Sequence, residues 1–101
     1  MNQELEPITP SEILKEEFME PLGLTVNWLA RDLDVPAARV SEIASGKRSI
    51  TADTALRLER YFGVSAQFWL NLQSRYDLKL ARRKLGSTLE SRVRKLDQVP
   101  A

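Results

Sequence analysis

The stretch TVNWLARDLDVPAARVSEIAS at residues 25–45 predicts two short helices joined by a tight turn. In its first half, apolar residues recur at the i, i+3, i+4, i+7 spacing that forms one face of a helix. These residues are Val26, Leu29, Ala30 and Leu33. The sequence Asp-Val-Pro at 34–36 interrupts the periodicity, and Pro36 is suited to begin the next helix because it lacks an N–H group. A second helix is therefore predicted, ending near Gly46.

The second helix of this pair presents small side chains opposite its apolar side. At about 100° per residue, Val40, Ile43 and Ala44 fall on the side that must face a core. Small side chains on the other side permit a close approach to base-pair edges. Two short helices about three residues apart are the arrangement of a helix-turn-helix, which places its second helix in the DNA major groove. The same arrangement occurs in small bundles that bind no DNA.

Further helices are predicted on both sides of this pair. Thr9, Pro10 and Glu12 form a Thr-x-x-Glu capping box with proline at the first helical position. Thr51 is suited to cap a later helix, and another begins after Ser65. Each of the four glycines follows an amphipathic run, which is typical of a residue that closes a helix. Together these signals predict helices over about 10–20, 26–33, 36–45, 52–62 and 66–85.

The chain is predicted to form one all-α domain, a five-helix bundle with a short C-terminal extension. The predicted divisions are an N-terminal tail at 1–8, the helix-turn-helix domain at 9–86 and the extension at 87–101. Ser87 and Glu90 have the spacing of a second capping box, which would begin a short helix in the extension. The segment is also short and rich in Arg and Lys, so a disordered tail is the alternative.

The composition of the 101 residues excludes most enzyme classes. The chain contains no Cys and no His, so it lacks thiolate ligands, the commonest metal ligand and the usual general base. Its carboxylates have no partner nucleophile, and we expect no enzymatic activity, no cofactor and no metal. The longest uncharged stretch, 61–74, has 14 residues, fewer than the roughly 20 that a membrane span requires. A cytoplasmic protein without a membrane partner is expected.

A formal net charge of +1 conceals a gradient along the chain. Residues 1–24 carry six acids and one base, whereas residues 61–101 carry eight bases and three acids. The intervening residues 25–60 are nearly balanced, with six bases and five acids. An acidic beginning and a basic end suggest two charged partners, or one partner and a dimer contact. Ordinary solvated helix faces are the alternative.

Three stretches resemble one family of bacterial regulators. They are PSEILKEEFMEPLGL at 10–24, GKRSITADTALRL at 46–58 and FWLNLQSRYDL at 68–78. With the helix pair between the first two, they are similar to the Xre/Cro-type helix-turn-helix, and more narrowly to the HigA (VapI-like) antitoxin family. The resemblance covers about residues 8–80. It implies a homodimeric antitoxin of a type II toxin–antitoxin module, which binds a HigB-like mRNA-cleaving toxin and represses its own operon.

The resemblance also implies which residues contact double-stranded operator DNA. The family's base-reading positions fall on Ala37, Ala38, Arg39, Ser41 and Glu42. Its phosphate-contacting positions fall on Thr25, Val26, Ser45, Lys47 and Arg48. The helical projection selects an overlapping set independently.

This sequence departs from the family at several base-reading positions. Relatives often carry Arg or Gln at the positions of Ala37, Ala38 and Glu42, whereas here only Arg39 is able to form a bidentate contact with guanine. Each missing bidentate contact removes roughly 1–3 kcal/mol of discrimination between bases. We therefore expect modest specific affinity per monomer, with dimerisation and phosphate contacts supplying much of the total.

Two protein interfaces are predicted in addition. Ribonuclease toxins must attract RNA phosphates, so an acidic surface would complement them; the candidate toxin-binding residues are Glu12, Glu16, Glu17 and Glu20. The candidate dimer residues, on the fifth helix, are Trp69, Leu72 and Tyr76.

Two alternatives within the binding class remain open. The first is a stand-alone Xre-type repressor without a toxin. The second is a protein-interaction module whose recognition helix no longer binds DNA, which Ala37, Ala38 and Glu42 would fit.

Overall fold

Side-chain caps begin the main helices at the residues that the sequence predicts. The hydroxyl oxygens of Thr9, Thr25, Thr51 and Ser65 each accept a hydrogen bond from the backbone N–H three residues later, at 3.0, 3.1, 3.5 and 3.1 Å. Glu12 completes the first capping box by accepting from the Thr9 N–H at 3.1 Å. These bonds satisfy N–H groups that have no partner within a helix.

The computed structural model describes residues 8–96, and all regular structure within that range is helical. Helix α1 joins an α-helical turn, Pro10–Glu12, to a π-helical segment, Ile13–Met19. The remaining helices are α2 Val26–Leu33, α3 Ala37–Ala44, α4 Ala52–Phe62, α5 Ala66–Leu85 and α6 Thr88–Arg92. The predictions of an all-α fold and of the extents of α2 to α5 are confirmed. Most of the predicted tail, 1–7, and the end of the predicted extension, 97–101, lie outside the described residues.

Helix α1 differs from the prediction in its winding. Leu14 and Met19 are both buried and lie five residues apart, which is the interval of π-helical hydrogen bonds. Ordinary α-helical spacing would group Leu14 with Phe18 and Leu22, yet Leu22 is 63% exposed. The π-helical winding brings Met19 to the core, and the turn that follows Glu20 carries Leu22 outward.

Helices α1 to α5 enclose one apolar core, so the helix pair α2–α3 is fixed by packing as well as by its turn. The Phe18 ring joins α1 to α4 and α5, since its centroid lies 4.9 Å from that of Phe62 and 4.7 Å from that of Trp69. The buried apolar residues are Leu14, Met19, Leu29, Ala30, Leu33, Val40, Ile43, Ile50, Ala55, Leu58 and Trp69.

A buried amide ties the segment between α3 and α4 to α5. The Gln73 Oε1 atom accepts a hydrogen bond from the Ile50 N–H at 2.8 Å, and Gln73 Nε2 donates to Asp77 Oδ1 at 3.0 Å. Ile50 is itself 2% exposed. An unpaired N–H at this depth would cost free energy, so the bond fixes the approach of the chain to α4.

Helix α5 extends beyond the core. After Gln73, Tyr76 is half-buried, and every other described residue through 96 is exposed. Gly86 has a φ of +52° and ends α5, after which α6 forms one short helix. The predicted capping box at its start is wrong, because Ser87 has helical backbone angles and its side chain forms no capping bond. Over residues 8–96, no helix is both long and apolar enough to span a membrane.

Candidate nucleic-acid interface

Helix α3 is held by the core with its small residues facing solvent. Val40 and Ile43 are 2% and 3% exposed, so they fix the rotation of the helix about its axis. Three members of the predicted base-reading set are exposed, namely Ala37, Ala38 and Ser41. This surface has no bulky side chain, which suits close contact with the edges of base pairs.

Arg39, the fourth member of that set, lies on the flank of α3 and pairs with α4. Its Nη1 atom is 3.0 Å from the Asp53 Oδ1 atom, and the side chain of Arg39 is 31% exposed. Arg57 Nε donates to the same Asp53 oxygen at 2.8 Å. Arg57 Nη1 also donates to the backbone oxygens of Leu33 at 2.8 Å and Asp34 at 3.2 Å, at the end of α2. One network therefore joins α2, α3 and α4.

The charges of this network favour the ionised forms of Asp53 and Arg57. The hydrogen bond from Arg57 holds the pKa of Asp53 below its usual range, and the Arg39 guanidinium acts in the same direction. The bond to Asp53 raises the pKa of Arg57 in turn. Asp53 is therefore a carboxylate at neutral pH. Asp53 is not among the predicted site residues, although its i, i+4 spacing to Arg57 was a signal for the pair.

Glu42, the fifth member, is paired with a predicted phosphate-contacting residue. Arg48 approaches Glu42 Oε1 through Nη2 at 2.7 Å and Nε at 2.8 Å. The backbone N–H groups of Lys47 and Arg48 donate to the Glu42 carbonyl at 2.8 and 3.2 Å, across the turn at Gly46. The Glu42 carboxylate is thus compensated, which reduces its repulsion of a phosphate strand.

The other predicted phosphate contacts lie at two helix ends. Thr25 is exposed and caps α2, while Val26 is half-buried against the core. The first N–H groups of such a helix, together with its dipole, favour a phosphate anion. Lys47 and Ser45 are exposed after α3. Val26 packs as the apolar face predicted for α2 requires, and Thr25 serves as the cap immediately before that helix.

The predicted toxin-binding carboxylates are all exposed on or beside α1. Glu12 is occupied within its own helix, because its Oε1 atom accepts from Thr9 N at 3.1 Å and Thr9 Oγ1 at 3.0 Å. Glu16, Glu17 and Glu20 are the members that leave their charge available to a partner.

The predicted dimer residues separate into two groups. Trp69 is 0% exposed and belongs to the core of its own protomer, so its side chain has no surface to offer a second copy. Leu72 and Tyr76 are half-buried and line a surface groove of about 330 Å³ between α1 and α5. The groove also contains Ile8, Ile13, Arg75, Leu78, Lys79 and Arg82.

Comparison with known proteins agrees with this geometry. A family model described as Helix-turn-helix matches residues 15–69. Virulence-associated protein I of Dichelobacter nodosus is 55% identical over 78 residues, which cover 77% of this chain and 72% of that protein. Within 8–96, no group of three or more His, Cys, Asp or Glu residues is arranged to hold a metal.

Two solved structures share the fold. Pseudomonas aeruginosa antitoxin HigA with the higBA promoter has a TM-score of 0.86 and 46% identity, covering 89% of this chain and 98% of that one. The addiction module antidote protein of a HigA family from Coxiella burnetii has a TM-score of 0.85 and 48% identity, covering 91% of this chain and 100% of that one. The chain therefore belongs to the helix-turn-helix family, in the branch of the HigA and VapI antitoxins, whose members are not enzymes.

Proposed function

We propose that this protein is the antitoxin of a type II toxin–antitoxin module and that it represses its own operon by binding operator DNA through α3. The observation that supports this most directly is the solvent-facing surface of α3, with Ala37, Ala38 and Ser41 exposed beside the basic residues Lys47 and Arg48. The related HigA of Pseudomonas aeruginosa is described with the higBA promoter. Bases would be contacted by the α3 set, and phosphates by Thr25, Val26, Ser45, Lys47 and Arg48.

A mobility shift with the DNA upstream of the protein's own gene tests operator binding. We expect a discrete complex on that DNA that withstands an excess of unrelated DNA of equal length. If no shifted complex forms, the protein-interaction module that no longer binds DNA is the better interpretation, whereas equal competition by unrelated DNA would show binding without sequence recognition.

Toxin neutralisation is the second part of the proposal. Glu16, Glu17 and Glu20 are exposed along α1 and would complement the basic active-site surface of a HigB-like ribonuclease. Deleting α1 is not a usable test, because Leu14, Phe18 and Met19 pack in the core. Reversal of the three charges, each Glu→Lys, changes only exposed side chains and removes the complementarity.

Co-expression with the product of the adjacent gene measures this effect. We expect the unaltered protein to restore growth and to be recovered with that product, and the charge-reversed variant to do neither. A matched control reverses Glu90 on α6, which is also exposed. If the adjacent gene encodes no small basic protein, the stand-alone repressor is the better interpretation.

Dimer formation is the third part. A two-fold dimer would present its recognition helices to successive major grooves about 34 Å apart. The groove beside Leu72 and Tyr76 supports this placement of the contact, since it is apolar and lies on the part of the molecule where α5 leaves the core.

A further inference from the structure

Arg39 is the one base-reading candidate with a side chain long enough for a bidentate contact, and its guanidinium is already oriented in the free protein. The bond from Nη1 to Asp53 Oδ1, at 3.0 Å, uses one of the five N–H groups of the guanidinium. The other four remain for a base. An arginine that is fixed before binding loses less conformational freedom when the complex forms.

Asp53 is itself fixed more firmly than a surface carboxylate usually is. Its Oδ1 atom also accepts from Arg57 Nε at 2.8 Å, and Arg57 is anchored by the carbonyl oxygens of Leu33 and Asp34. The carboxylate therefore occupies one position relative to α2 and α4. Through the ion pair, the side chain of Arg39 is held in place by α4 and the end of α2 as well as by its own helix.

The charge of Asp53 affects DNA affinity in a different way. Its side chain is 59% exposed at the first turn of α4, close to the flank of α3. Arg39 and Arg57 compensate most of this charge, and what remains opposes the phosphates of every DNA alike. Removing the charge would therefore raise affinity for DNA in general, whereas loss of the orientation of Arg39 would lower affinity for the correct DNA alone.

We propose that Asp53 is a positioning residue that determines specificity by holding Arg39 in the orientation in which it reads a base. The inference rests on the proposed operator binding. It assigns a role in recognition to a residue that is outside the predicted base-reading and phosphate-contacting sets.

The test compares affinities of the full-length chain for its upstream operator fragment and for a scrambled fragment of equal length, by fluorescence anisotropy at fixed salt. Asp53→Asn should lower the ratio of the two affinities by at least about five-fold, the lower end for one bidentate contact, while affinity for the scrambled fragment rises. Asp53→Glu keeps the charge but displaces it, so it should lower operator affinity and leave scrambled affinity unchanged. Circular dichroism melting confirms that each variant is folded.

Two further variants separate positioning from other effects. In an Arg39→Ala background, Asp53→Asn should leave the ratio unchanged, because there is no guanidinium left to orient. Asp32→Asn also removes one negative charge, but from a carboxylate that is bonded to Tyr61 and not to Arg39. It should leave the ratio of operator affinity to scrambled affinity at the level of the unaltered protein.

The outcomes distinguish this inference from the function on which it rests. A ratio that stays within two-fold of the original in Asp53→Asn overturns the positioning role while operator binding stands. An equal fall with and without Arg39 overturns it as well. If the unaltered chain binds both fragments equally, the proposed operator function fails, and the inference fails with it.

Discussion

Arg39 and Glu42 are the charged members of the predicted base-reading set, and each is held by a residue from another part of the sequence. Arg39 pairs with Asp53, 14 positions away, and Glu42 pairs with Arg48 across the turn after α3. Helical projection predicted correctly that α3 turns small residues outward. It was unable to predict these partners, because the first depends on how α4 packs beside α3 and the second on the turn that follows α3.

Lys47 follows α3 and is exposed, with no ion pair among the described residues, which makes it the cleanest test of a phosphate contact. Lys47→Ala should reduce the slope of log affinity against log salt by about one, or about two for a dimer with two half-sites. The measurement is a salt titration of operator binding. Lys84→Ala, on the exposed part of α5, is the control and should leave the slope unchanged; equal slopes for both variants would contradict the phosphate contact.

Tyr61 joins α4 to α2 through a hydrogen bond from its hydroxyl to Asp32 Oδ2, at 2.8 Å. This bond raises the pKa of Tyr61, because loss of the proton would place a second negative charge beside the carboxylate. The protonated phenol therefore stabilises the fold fully below the pKa of the unfolded chain, and the contribution is lost as pH rises through the folded pKa. In absorbance titrations at alkaline pH, Asp32→Asn should lower the pKa of Tyr61, assigned by subtracting the Tyr61→Phe curve. An unchanged titration would refute the bond.

At the scale of elements, local signals predicted most of the fold. Thr25, Thr51 and Ser65 cap helices because their hydroxyls reach nearby N–H groups, a property that depends on neighbouring residues alone. The π-helical winding of α1 was not predictable in this way, since it is coupled to the burial of Met19. Ser87 failed as a cap because its backbone is helical and does not direct the hydroxyl toward the next turn.

Replacement of Gln73 should destabilise the fold, because this side chain makes a buried hydrogen bond between α5 and the segment before α4. Gln73→Met keeps the volume but removes the acceptor for the buried Ile50 N–H, which should destabilise the fold by about 1–3 kcal/mol. Urea denaturation measures this difference. Gln67→Met, at an exposed position of the same helix, should change stability by less than about 0.5 kcal/mol. Similar stabilities for the two variants would show that the buried bond contributes little.

At the scale of the whole molecule, the core residues and the orientation of α3 follow from the apolar pattern, whereas the surfaces for partners do not. Apolar residues on α5 were expected to join two protomers, yet Trp69 is buried within one protomer and the side chains beyond Gln73 are mostly exposed. Periodicity identifies which residues share a helix face. It does not identify where a helix leaves the core.

Leu78 tests the proposed dimer surface without disturbing the core, because it is 49% exposed and lines the groove beside Tyr76. Leu78→Asp should weaken dimerisation at least about ten-fold, a loss of about 1.4 kcal/mol, and sedimentation should show monomer at concentrations where the original is dimeric. Leu56→Asp is the matched control on α4, where Leu56 is 59% exposed. Equal behaviour of the two variants would place the dimer contact elsewhere.

The exposed end of α5 also determines where a protease would first cleave the protein. Arg82 and Lys84 lie in its last turn, just before the bend at Gly86, and none of the side chains there is buried. Cleavage at that point requires only local fraying, whereas cleavage within α2 to α4 requires the core to open. A trimmed protein would keep its recognition helix folded while it lost three basic residues, Arg92, Arg94 and Lys95. Turnover that begins at this end would therefore weaken charge-dependent contacts before it destroyed the DNA-facing surface.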